Sequence, residues 1–102
     1  MPRSWQQTLD RVDVETPNRY KVIMHNDDFT TMDLVVLILL KIFFYNPSDA
    51  RAVMMKIHTE GSAVVGTYSY DVAVSKARKA IRMARDKGYP LNLTVEPADS
   101  DY

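Results

Sequence analysis

From Tyr20 the chain alternates: Tyr20, Val22 and Met24 face one way and Lys21, Ile23 and His25 the other, a period of two that predicts a strand. A polar run, Asn26 to Asp33, ends it. The longest apolar block of the chain follows, Leu34 to Phe44 with Lys41 inside. That block predicts a first helix, with Thr30 as its N-cap and Asp33 as the acid of a capping box. The helix is expected to run until Asn46-Pro47, a cap and first-turn pair that opens a second helix. Ala50, Val53, Met54 and Ile57 fall at helical spacing in that second helix, and Gly61 suits its C-terminal end.

Residues 63–68, "AVVGTY", have strand character. Ser69 is expected to cap a third helix with the inner stripe Ala73, Ala77, Ala80, Ile81 and Ala84, closed by Gly88. Leu91, Leu93 and Val95 alternate with Asn92 and Thr94 as a last strand. The predicted order is β-α-α-β-α-β: an α+β domain, three helices packed on one face of a three-stranded antiparallel sheet. Residues 1–19 mix charges with two prolines and few large apolar groups, and read as a mobile N-terminal tail ahead of a domain at 20–97. Residues 98–102 form a short C-terminal tail.

A chain of 102 residues holds one core. The block at 34–44 is about half the ~20 residues a bilayer needs, and the first 19 residues lack the apolar stretch of a secretory signal; a cytoplasmic protein is expected. Formal net charge is zero, which argues against nonspecific nucleic-acid or membrane binding as the main task. Absence of cysteine excludes thiolate nucleophiles and Cys-ligated zinc.

The chemistry concentrates in "HNDDFTTMD", residues 25–33, where three carboxylates, an amide and an imidazole meet no basic residue. A calcium loop needs a central glycine and a distal glutamate that this run lacks. No nucleophile elbow or phosphate loop is present, and no glycine at all precedes Gly61, so an enzyme is not expected. Turn formation and capping account for one or two of these residues, not for Asn26, Asp27 and Asp28 together. His58, beside the inward stripe of the second helix, adds an imidazole. Two other readings stand beside a binding site here: a metal held by His25, Asp27 and His58, and RNA on the basic third helix (Lys76, Arg78, Lys79, Arg82, Arg85, Lys87). That helix lacks the interleaved aromatics on which bases stack.

"YKVIMHNDDFTTMDLVV", "AVMMKIHTEGSAVVGTYSYDVAVSKARKA" and "YPLNLTVE" closely resemble ClpS, the bacterial adaptor of the Clp protease, over residues 20–96. The resemblance implies a non-enzymatic adaptor without a cofactor. Such an adaptor recognises proteins by a destabilising first residue (Leu, Phe, Tyr or Trp) and hands them to a Clp AAA+ ATPase. By position, Asn26, Asp27 and His58 would bind the substrate's α-amino group. Asp28, Thr30, Met32, Val35, Met54, Ile57 and Leu91 would form the pocket for its first side chain. Asp71 and Lys76 match positions that meet the N-terminal domain of a ClpA- or ClpC-like ATPase. Family members commonly have proline where this chain has Thr31, a change expected to loosen the start of the first helix.

Overall fold

The computed structural model describes residues 18–98. The tail expected at 1–19 lies outside them except for Asn18 and Arg19, as do residues 99–102. Arg19 already belongs to the folded body: its guanidinium donates to the Thr67 carbonyl, and its own carbonyl accepts from the Ala98 N–H.

The alternation at the start of the domain gives strand β1, Tyr20–His25, with Val22 and Met24 fully buried. It lies between two antiparallel neighbours, β2 (Ser62–Tyr68) and β3 (Asn92–Pro97), in the order β2-β1-β3. Met24 sits opposite Ala63 on one side and Leu93 on the other, so one row of small and large apolar side chains faces the helices. The register slips between Val22 and Ile23, leaving Val65 of β2 without a ladder partner. Its carbonyl accepts the Tyr45 hydroxyl instead, at 2.7 Å.

Helix α1 spans Met32–Lys41, α2 Pro47–Glu60 and α3 Tyr70–Asp86. Helix α3 packs on all three strands by its alanine stripe, Ala73, Ala77, Ala80 and Ala84 being buried and Ile81 half-buried. The small residues let the helix backbone approach the sheet closely. Asn46 caps α2 with its side-chain oxygen on the Asp49 N–H, and Pro47 follows in the first turn. Ser69 holds the N-cap position of α3 but makes no side-chain cap bond. Ile38 and Leu39 of α1 are fully buried, as is Ala50 of α2.

Two boundaries differ from the pattern. The first helix stops at Lys41, not near Asn46-Pro47. Ile42 and Phe43 turn into the core, Phe44 adopts a left-handed φ of +59°, and the Tyr45 N–H returns to the Leu39 carbonyl. Its N-cap is Thr31, whose hydroxyl accepts from the Leu34 N–H at 3.2 Å; Thr30 has another task. Among the described residues no helix is long and apolar enough to cross a membrane.

Candidate functional site

β1 ends at His25, and the next residue is pinned at once: the Asn26 N–H donates to the Gly61 carbonyl at 2.9 Å. Gly61 closes α2 with a φ of +94°, a conformation that side chains resist, and one turn earlier on that helix stands His58. One backbone bond thus sets Asn26 beside the end of α2 that carries the imidazole.

Asp27 organises the turn into α1. One carboxylate oxygen accepts the N–H groups of Phe29 and Thr30 at 2.8 and 2.7 Å, and the other accepts the Thr30 hydroxyl at 2.7 Å. This is an Asx-type turn, and it explains why Thr30 is not the helix cap. Burial pushes the Asp27 pKa up. The Thr30 hydroxyl, the two backbone donors and the charge of Arg85 together outweigh it and hold the carboxyl below the ordinary aspartate value. A carboxylate offers about four lone-pair directions; the turn fills three and leaves one side open to an incoming donor.

The turn, α1 and α2 enclose a groove of about 220 Å³ lined by Asn26, Asp27, Asp28, Thr30, Met32, Val35, Met54, Ile57 and His58. Its floor is apolar: Ile57 and Val35 are buried and Met54 half-buried, while Met32 stands over the rim with 43% of its surface exposed. Nine of the ten residues expected at the amine and side-chain sites therefore meet in one place. Leu91 does not line the groove. At 1% exposure it belongs to the core cluster that Val35 and Ile57 also join. Thr31 supplies the N-cap of α1.

The three groups of the metal reading, His25, Asp27 and His58, are not brought together. His25 lies on the other face of the sheet, its Nε2 2.8 Å from the Thr94 hydroxyl, because alternation along β1 turns it away from Met24. Among the described residues no three His, Asp or Glu side chains gather to hold an ion. Asp71 and Lys76 lie near the opposite, N-terminal end of α3 and line a separate groove.

Sequence reasoning missed Arg85. Its guanidinium donates to the carbonyls of Tyr89 and Leu91 at 2.9 and 2.7 Å, fixing the α3–β3 connection. Backbone carbonyl partners leave no trace in residue identities, so Arg85 reads as one more charge on a basic face.

At one end of its sheet this α+β scaffold carries a groove in which carboxylate and amide groups adjoin apolar side chains, a surface suited to a cationic group joined to an apolar one. The family model described as ATP-dependent Clp protease adaptor protein ClpS matches residues 15–94. The ClpS adapter protein of Acetivibrio thermocellus is 45% identical over 86 residues, 84% of this chain and 87% of that protein. That of Campylobacter jejuni subsp. jejuni serotype O:23/36 is 43% identical over 96 residues, 94% and 98% of the two chains. The structure of Agrobacterium tumefaciens ClpS2 bound to L-phenylalaninamide superposes with a TM-score of 0.78 at 38% identity, covering 81% of this chain and all of that one. The chain belongs to the ClpS family of Clp protease adaptors. An adaptor binds and delivers; this protein is not an enzyme.

Proposed function

We propose that this protein captures cytoplasmic proteins whose free amino terminus begins with Leu, Phe, Tyr or Trp and delivers them to a Clp AAA+ ATPase for degradation. Asn26, Asp27 and His58 take the α-ammonium group. Asp28, Thr30, Met32, Val35, Met54 and Ile57 surround the first side chain, and Leu91 backs the pocket from the core. Asp71 and Lys76 belong to the surface that meets the N-terminal domain of a ClpA- or ClpC-like ATPase.

One observation carries the reading: Asp27, kept ionised and with one side open, stands at the mouth of a groove whose floor is apolar. An α-ammonium has three donors and no acceptor, so a selective site must offer converging acceptors. A carboxylate, an amide oxygen and an imidazole nitrogen are three. Hydrogen bonds to a charged group contribute about 1.5–3 kcal/mol, and burying a Leu or Phe side chain contributes a similar amount. The phenylalaninamide bound to ClpS2 supports the same chemistry. It joins a free amine to a benzyl group, with a carboxamide where a peptide bond would continue. Met54 and Met32 are pliable enough to fit aliphatic and aromatic first residues alike.

Fluorescence anisotropy with short labelled peptides beginning with Phe, Leu, Ala or N-acetyl-Phe tests this directly. Phe and Leu peptides are expected to bind, and the Ala and acetylated peptides at least about tenfold more weakly, since each lacks one of the two contributions. Equal affinity for Phe and N-acetyl-Phe would remove the amine from the account.

A further inference from the structure

Phe44 is the one non-glycine residue with a left-handed backbone among the described residues, at φ +59°. For a bulky side chain this conformation is sterically costly and persists only where its surroundings enforce it. Burial of the ring is not the compensation, because 77% of Phe44 remains exposed. The turn sends Ile42 and Phe43 into the core and leaves the next ring outside.

Lys76 holds that ring in place. Its ammonium donates a 2.7 Å hydrogen bond to the Ile42 carbonyl, at the end of α1. It also lies 4.5 Å from the centroid of Phe44, 5.2 Å from that of Tyr68 and 5.8 Å from that of Phe43. Attraction between an ammonium and aromatic faces acts at these separations. Burial, and secondarily Lys79, push the Lys76 pKa down. Tyr68 in turn folds back over Gly66, where even a methyl group would collide with its ring. The ammonium thus spends one donor on a carbonyl and faces three rings, while the residue still lines the groove beside them.

Beside the ring lies a groove of about 380 Å³ that Phe44 shares with Lys41, Asp71, Val72, Lys76 and Lys79. Val72 is 43% exposed. An aromatic knob with an apolar neighbour, rimmed by lysines, has the anatomy of an interface centre.

We propose that Phe44, locked by Lys76, is the apolar anchor by which this adaptor docks its Clp ATPase, the ring entering a hydrophobic socket with an acidic rim on that partner. The proposal rests on the adaptor reading and gives Lys76, on that same surface, the further role of positioning the ring. Charge selects the occupant: Lys41 and Lys79 line the groove with the ring, and Asp71 is the single acid among the lining residues. Continuity selects it too, since Asp71 and Lys76, assigned to the ATPase surface by position in the chain, line this same groove. The site is also well placed, near the end of α3 away from Arg85 and Asp27, so a docked partner leaves the amine groove open.

The test measures binding of the full chain to the intact Clp ATPase by biolayer interferometry, with Phe-peptide anisotropy and thermal unfolding on the same samples. Phe44→Gly removes the ring while relieving the backbone. It is expected to weaken ATPase binding by about tenfold or more, leave peptide affinity unchanged, and leave the unfolding midpoint unchanged or higher. Lys76→Met is expected to give an intermediate loss that Lys76→Arg partly restores, because a guanidinium can still donate and stack. Phe44→Gly binding the ATPase as tightly as the parent chain overturns the proposal. So does a concentration-dependent dimer of the parent chain that Phe44→Gly abolishes, which would make a second copy the occupant. A parent chain that binds peptide but no ATPase also overturns it, leaving the amine site standing; one that binds neither removes the adaptor reading as well.

Discussion

Asp27 does two jobs with one carboxylate: it closes the turn into α1 and faces the groove. Substitution by Asn keeps much of the turn's acceptor geometry but removes the charge. Phe-peptide affinity is expected to fall roughly tenfold or more in Asp27→Asn, the scale of a hydrogen bond to a charged group. The pH profile follows from the direction of its shift. Because the folded-state pKa is depressed, the contribution of Asp27 is present above the ordinary aspartate value. It is lost only as pH falls through the lowered folded value, below about 4. On the alkaline side the peptide's own amine loses its proton near pH 7.7–8.0. Anisotropy titrations should therefore show binding declining above about pH 8, while Asp27 itself stays ionised across the neutral range. An affinity that rises steadily from pH 6 to 9 would contradict an ammonium ligand.

At the scale of elements, stops and starts decide what the site looks like. Period-two and period-3.6 patterns were enough to place β1, α2 and α3, since each carries one buried stripe and one wet one. The end of the first helix was not legible, because "LVVLILLKIFF" is apolar on every side and offers no stop signal. Its stop comes from tertiary structure: Tyr45 reaching Val65, and Lys76 the Ile42 carbonyl. Nor could sequence choose between Thr30 and Thr31 as the cap, because the choice depends on Asp27 claiming the Thr30 hydroxyl. Family resemblance named ten residues for the amine and side-chain sites; nine of them line one groove, and Leu91 lies in the core behind Val35 and Ile57. Helix ends also separate stability from binding. Asn46→Ala removes a remote cap and should cost about 1 kcal/mol of stability with peptide affinity unchanged. Gly61→Ala meets no steric neighbour, yet it must hold a left-handed φ at a cost of about 1–2 kcal/mol. It should also weaken peptide binding, because the Asn26 N–H hangs from that same peptide segment. Chemical denaturation paired with anisotropy distinguishes the two outcomes.

Over the whole molecule, α3 separates two surfaces of opposite character. Near its C-terminal end Arg85 fixes the connection to β3, and the acid-rimmed groove lies within reach of its charge. Near its N-terminal end lie Phe44, Asp71 and three lysines. An adaptor must hold cargo and machine together, and with the two surfaces in the proposed roles this layout would let it do so without competition. Saturating Phe peptide is expected to change ATPase affinity by less than about twofold. A larger change, in either direction, would mean the two ends are energetically coupled.

The central position of β1 sets a clock as well as a shape. Its residues are laddered on both sides, and Asn26, the first residue beyond it, is tied to Gly61. Edges and termini of a domain fray on their own, whereas a middle strand opens only when the domain does. The Asn26 amide should therefore exchange its hydrogen with solvent at close to the rate of global unfolding. Under the proposed reading, a captured amino terminus would depart on its own timescale, from a receptor that need not loosen to release it.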